Sequence, residues 1–478
     1  MESPTSPNFV TNYVERFNTW LQESVMIKLF SIGFLILILM LPASWIEELV
    51  RERQSRATEV LQEVSDKWSG AQTLSGPILV IPFIKEFVID RGKEGIEIRQ
   101  ETHKAYFLPD DLKIKGQVDP MKLSRGIFDA TVYKSAMNVN ATFTKPDFTS
   151  LKIKPELVQW KDAYVVFGIT DLRGISENPT ITVGTDTLVA DPSNEIGITV
   201  LSKTGVMWHE AMREERYAEV SSTKGMTSKL SWKSEDDFNG NFVMNLNLKG
   251  SRRLDFVPAG KTTNVSLKGS WADPSFLGEF IPIKREVDEK GFTAEWSVLH
   301  FNRPFSQNWV NENQTLSGAD FGVKLLIPVD QYQKTMRTSK YSVLIILLTF
   351  IALFLVEITQ KIRIHPFQYI LIGAALIIYY TLLLSISEHT GFNIAYGVSA
   401  LATVALIALY STTFLHAPSL IVLVTALLTI FYGFIYLIIL QQDFSLLIGS
   451  VGLFIIVGML MYFSRKIKWY DNKPVTQV

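Results

Sequence analysis

The sequence predicts an α+β membrane protein: six transmembrane helices, one N-terminal and five C-terminal, with a large β-rich, sandwich-like extracytoplasmic domain between helices 1 and 2. Three observations predict it. Apolar residues are segregated into one membrane-length run near the start and five runs after Tyr341. Charge is segregated the other way, since only ten Asp, Glu, Lys or Arg residues follow Tyr341. Between the runs, about 295 mostly polar residues contain stretches in which apolar and polar side chains alternate with a period of two, the mark of half-buried strands.

The first run, 25–45, is nearly unbroken from Leu29 to Leu41, and Lys28 is its only charge. About 20 helical residues cross a hydrocarbon core of about 30 Å. No small-x-small cleavage site follows Pro42, so the run is predicted to be an uncleaved anchor rather than a signal peptide. The later runs are 342–356, 367–386, 393–413, 419–440 and 444–463. Backbone polar groups in lipid must be satisfied within a segment, so all are expected to be helices.

Lysine and arginine in short loops set orientation. Lys361 and Arg363 follow the second helix, and Arg465, Lys466, Lys468 and Lys473 lie in the tail. The alternate loops carry Glu388 and His389, or Gln441, Gln442 and Asp443. Both termini are thereby expected in the cytoplasm and the long block outside. Arg51, Arg53 and Arg56, with Lys334, Arg337 and Lys340, oppose this, but they flank a long domain, where the charge rule is weak.

In order along the chain, residues 1–24 form a cytoplasmic or interfacial segment with Phe9, Tyr13, Phe17, Trp20 and Leu21 at helical spacing. That stripe suits either a membrane interface or a protein surface. Residues 25–45 are the first span. Residues 46–70 keep a helical period through Val50, Ala57, Val60 and Trp68, which predicts a stalk ending near Gly70. Residues 71–340 are the β-rich domain, with alternating sets Met137/Val139/Ala141/Phe143, Phe242/Met244/Leu246/Leu248 and Phe292/Ala294/Trp296/Val298. Residues 341–464 form the five-helix bundle, and 465–478 a basic cytoplasmic tail.

Chemistry is sparse. The net charge of −1 gives no reason to expect nucleic acid, and the absence of cysteine removes disulfides and thiolate metal sites. The six histidines include no pair at metal-ligand spacing, and neither a nucleophile elbow nor a phosphate-binding glycine loop is present. No catalytic, cofactor-binding or metal residue is therefore assigned, and no cofactor is expected. Three positions stand out. Glu357 is the ionisable group nearest the hydrocarbon, with Lys361 one turn later, and such groups are functional candidates or interfacial ion pairs. Glu388 and His389 close the third helix, where acid and imidazole would bind a partner loop, respond to protonation or cap the helix.

The residues also resemble the CreD family of bacterial inner-membrane, cell-envelope integrity proteins. The resemblance runs through Ser75-Gly76-Pro77-Ile78-Leu79-Val80-Ile81-Pro82, Asp171-Leu172-Arg173-Gly174-Ile175 and Trp271-Ala272-Asp273-Pro274-Ser275-Phe276-Leu277-Gly278-Glu279-Phe280-Ile281-Pro282. It continues in His365-Pro366-Phe367-Gln368-Tyr369 and Ser387-Glu388-His389-Thr390-Gly391-Phe392. It implies a role in envelope integrity, tolerance to colicin and the response governed by the CreB–CreC two-component system, with no catalytic residues to carry over. The expected function is therefore non-enzymatic support of the envelope and tolerance of envelope stress through the outer domain. A transporter or channel built from the bundle is the alternative, and an envelope-lipid or peptidoglycan-modifying enzyme using carboxylates such as Glu210 or Glu286 is the next. Expected partners are the lipid bilayer and an envelope component or membrane protein, with a homo-oligomer left open.

Overall fold

The computed structural model describes residues 25–465 apart from 92–95, 195, 210–213, 312–313, 317, 326–329, 361 and 442–443. The amphipathic stripe from Phe9 to Leu21, Lys361, Glu210, and Lys466, Lys468 and Lys473 of the tail lie outside the described residues. Two compact units emerge, one of residues 58–327 and one of residues 1–57 with 328–478.

The β unit holds a nine-stranded and an eight-stranded sheet, with a further three-stranded one. The three alternating sets follow one strand each, Phe128–Thr142, Asn241–Ser251 and Gly291–Leu299, with Phe143 one residue past the end of the first. Met137 pairs with Leu246 and Val139 with Met244 across an antiparallel ladder, and all four are buried. One continuous core takes side chains from both large sheets, which gives the unit its sandwich character. The strand Gln72–Asp90 runs through the middle of the nine-stranded sheet. Its first twelve residues are buried on both faces, so it lacks alternation.

Alternation led to an expectation of antiparallel strands, and most pairs are. Three are parallel: Gln72–Leu74 beside Leu254–Phe256, Asp111–Val118 beside Thr262–Gly269, and Thr315–Leu316 beside Thr199–Val200. The period of side chains reports which face is buried and carries no information on the direction of a distant partner.

In the other unit, five helices are long and apolar enough to span a membrane, and a further apolar helix covers Leu446–Tyr462. Helix α1, Val25–Trp68, continues without interruption from the membrane run into the polar stretch beyond it. Helix α2 is Asp330–Lys340, a stretch that the sequence reading left inside the β-rich region. Its buried side is Tyr332, Thr335, Thr338 and Ser339, a helical stripe too polar to register as hydrophobic periodicity. The apolar helices are α3 Ser342–Thr359, α4 Pro366–Thr390, α5 Phe392–Ser411, α6 Pro418–Leu440 and α7 Ser445–Ser464. Large apolar side chains such as Phe30, Leu446 and Phe454 remain about four-fifths exposed, as expected where the solvent is lipid.

The starts of these helices are written locally. His365 caps α4 in a reciprocal box with Gln368, and Pro366 occupies the first turn, where its missing N–H costs nothing. Gly391 joins α4 to α5 at φ +79°, a conformation that glycine adopts without strain.

Candidate functional site

Glu357 sits in the last turn of α3 and is 3% exposed. One carboxylate oxygen accepts a hydrogen bond from Lys28 Nζ at 2.7 Å and from the backbone N–H of Ile364 at 3.2 Å. The other accepts from the Tyr369 hydroxyl at 3.1 Å. Three elements thus meet on one carboxylate: the first turn of α1, the α3–α4 link and the first turn of α4. Among the described residues the cation is Lys28, more than three hundred positions away; Lys361, the neighbour suggested by spacing, lies outside them. Beside this group lies a cavity of about 480 Å³ that also takes in Arg363 and His365.

Glu388 lies at the opposite end of α4, which at 1.5 Å per residue is about 37 Å long. It accepts a hydrogen bond from the Tyr332 hydroxyl of α2 at 3.1 Å. Burial, the Glu388 charge and that hydrogen bond keep the tyrosine protonated well above its ordinary range, against the opposing pull of Arg53. Lys334 of α2 stands 5.9 Å from the centre of the Phe392 ring. The adjacent His389 is exposed. The structure therefore brings Glu388 to a docking contact for α2 and separates it from Glu357.

Between these ends is a feature that sequence reasoning missed. Tyr379 and Tyr380 of α4, Tyr396 of α5 and Tyr432 of α6 converge inside the bundle, all buried. Tyr379 and Tyr432 lie 4.7 Å apart by ring centres, and the Tyr396 hydroxyl donates to the Tyr432 carbonyl at 2.7 Å. The hydroxyls of Tyr380 and Tyr432 are buried without a hydrogen-bond partner. The interior is more polar than a count of ionisable groups suggested. Adjacent tyrosines in the middle of an apolar run were the available signal.

The β unit has its own polar focus where α1 ends. Asp171 accepts from the N–H of Gly70 at 3.0 Å and from the Arg173 guanidinium at 2.7 Å. Arg173 also donates to the carbonyl of Asp66, in the last turn of the helix. Desolvation would raise the Asp171 carboxyl, but the Arg173 side chain and the amides of Gly70 and Arg173 outweigh it and hold the group at about 2. The Gln72 side-chain amide bridges Ser69, the Asp171 carbonyl and the Lys249 carbonyl at 2.8–3.1 Å. A Cβ at Gly174 would overlap that amide and the Lys249 carbonyl, so only glycine fits. Two turns earlier, Arg125 reaches Glu63 at 2.6 Å. The segment Asp171–Ile175 is thus the clasp that receives the end of α1.

A second buried charge cluster lies deeper. Arg253 pairs with Asp255 at 2.5 Å and with Asp320 at 3.3 Å, and all three are under a tenth exposed. Burial pushes the Asp255 carboxyl up to about 7, with Arg253 pulling it down and Asp320 adding to the rise. Of the carboxylates considered for enzyme chemistry, Glu286 stands exposed on the edge strand Lys284–Asp288. Among the described residues no three His, Asp or Glu side chains converge to hold a metal.

These features define a multi-span membrane protein that carries a large β-sandwich-like unit between its first and second spans. The chain belongs to the CreD family: the family described as inner membrane protein CreD matches residues 24–470. It is 30% identical over 445 residues to the inner membrane protein CreD of Escherichia coli (strain K12), covering 93% of each chain. It is accordingly a multi-pass protein of the inner membrane.

Proposed function

We propose that this chain supports the bacterial cell envelope as a non-enzymatic protein, acting through a β unit held on the extracytoplasmic side with both termini in the cytoplasm. The observation that carries the reading is the clasp around Asp171–Ile175, which fixes the end of a single continuous helix into the β unit. Such a joint positions a binding domain against whatever envelope component it contacts, and does nothing obvious for a reaction. The basic α3–α4 link with Arg363, against the Glu388–His389 turn at the other end of α4, supports the orientation.

Two measurements test this. The chain contains no cysteine, so single cysteines report accessibility cleanly. A cysteine at Lys113 should react with a membrane-impermeant maleimide in intact cells, and one at Arg363 should react only after lysis; the reverse pattern would overturn the orientation. Cells lacking the protein should become sensitive to detergent or colicin, and a variant lacking both Asp171 and Arg173 side chains should fail to protect them at normal abundance. Full protection by that variant would sink the role of the clasp.

A second reading, transport of an envelope component, is favoured by the buried hydroxyls of Tyr380 and Tyr432. Replacing both tyrosines by phenylalanine would abolish protection under that reading and leave it intact under the first.

A further inference from the structure

The cavity beside Glu357 has a polar floor and apolar walls. Lys28, Arg363, His365, Tyr369 and Glu357 supply the floor, and Ile27, Ile32, Leu35 and Ile364 the walls. Its charge balance is informative, because two permanent cations line it against one carboxylate. That carboxylate is already committed, with one oxygen receiving Lys28 and the Ile364 amide and the other receiving Tyr369. A cationic ligand would therefore find three of the carboxylate's roughly four acceptor positions taken and its charge already met by Lys28. An anion would find Lys28, which is 32% exposed, the exposed Arg363 and His365, and the positive end of the α4 dipole at Pro366.

Depth points the same way. Every ionisable lining residue belongs to the first turn of α1, the end of α3, the α3–α4 link or the first turn of α4, and the Ser31 hydroxyl lies one turn further along α1. These are ends of spanning helices, and ends of spans lie at headgroup level. The apolar wall residues run from Ile27 to Leu35 along α1, two turns into the membrane run. A free phosphate ion would gain nothing from that wall, whereas an acyl or glycerol backbone would. The volume of about 480 Å³ falls within the usual range for small-molecule sites, roughly 300–1,000 Å³. Basic pockets between spanning helices at this depth suit anionic headgroups.

We propose that the cavity bounded by Lys28, Arg363, His365 and Tyr369 binds the phosphate headgroup of an anionic phospholipid, with its glycerol and upper acyl chain against Ile32 and Leu35. The lipid would occupy the space between the start of α1 and the α3–α4 link, adding to the contact already made by Lys28 and Glu357.

The full-length protein in nanodiscs of equal phosphatidylglycerol and phosphatidylcholine, released gently and weighed by native mass spectrometry, tests this. Phosphatidylglycerol should be retained in preference to phosphatidylcholine. Arg363→Gln should lower that retention at least threefold, Arg363→Lys should restore most of it, and Lys340→Gln, at the far side of the helices, should leave it unchanged. Leu35→Phe narrows the apolar wall without altering charge and should lower retention as well, with lipid-free melting used to confirm that each variant is folded. Equal retention of the two lipids, or no response to Arg363→Gln in folded protein, would overturn the site. Displacement of the lipid by millimolar glycerol phosphate would overturn the lipid assignment in favour of a soluble phosphate ester.

Discussion

The two ends of α1 are held by the same chemistry in different surroundings. At its start, Lys28 meets a Glu357 that is 3% exposed. At its end, Asp171 meets an Arg173 whose side chain is 62% exposed. An ion pair facing water contributes only ~0–1 kcal/mol, because solvent screens the attraction and ordering the side chains costs entropy. The clasp at the C-terminal end accordingly works through geometry, with Asp171 and Arg173 satisfying the Gly70 N–H and the Asp66 carbonyl left over at a helix terminus. The buried pair works differently. Once the carboxylate is out of water, removing the cation that meets it leaves a buried charge without its pair. One end is a cap that happens to be charged, and the other is a charge that must be paired.

That difference can be broken most forcefully at the buried end. Lys28→Met should destabilise the helical unit by about 3 kcal/mol, the lower part of the range for a broken buried pair because Lys28 is partly exposed. Adding Glu357→Gln should recover most of that loss, since the amide is neutral, its oxygen still accepts from the Ile364 N–H, and its NH2 can donate to the Tyr369 hydroxyl oxygen. Thermal melting in detergent measures both, and no drop for the single variant would show that the pair is dispensable.

Next in size is Gly174→Ala at the C-terminal end of α1. The added methyl collides with the Gln72 amide and the Lys249 carbonyl, at a cost of ~1–3 kcal/mol. Faster hydrogen exchange at Gly70 and Gln72 would report it, and unchanged exchange would show that the clasp yields freely.

The smallest expected effect is Asp171→Asn, about 1 kcal/mol near neutral pH. Its pH dependence sharpens the comparison. The folded carboxyl lies at about 2, below its ordinary value of 3.8, so its contribution is present above pH 4 and is lost as pH falls toward 2. The melting difference between wild type and Asp171→Asn should shrink across that window. A constant difference would mean that the carboxylate charge plays no part.

The C-terminal end of α1 was the more legible of the two in the amino-acid sequence. Asp171, Arg173 and Gly174 are adjacent, and they stood within a recognisable motif even though their partner was not evident. Strands with one dry face, such as Gly291–Leu299, announced themselves by alternation, while Gln72–Asp90, dry on both faces along its first half, did not. At the membrane end Glu357 was conspicuous as an ionised group near lipid. Lys28 was visible as the only charge of the first run, yet nothing local linked the two. Spacing along a helix reports neighbours three and four residues away, and tertiary pairs between distant helices lie beyond it. The tyrosines at 379, 380, 396 and 432 were hidden for a related reason: aromatic residues in an apolar run look like core until the direction of each hydroxyl is known.

Pro42 gives α1 one further property. It lies inside the helix, within the apolar stretch, and a proline there cannot donate to the carbonyl four residues earlier. The Ser44 hydroxyl instead bonds to the Leu41 carbonyl at 2.7 Å, supplying some of the local polarity that lipid would not. Bending along this 44-residue helix is therefore cheapest at this point. The turns of α1 before Pro42, with Lys28 on Glu357, can thus change angle against the turns that follow it at the loss of no further backbone hydrogen bond.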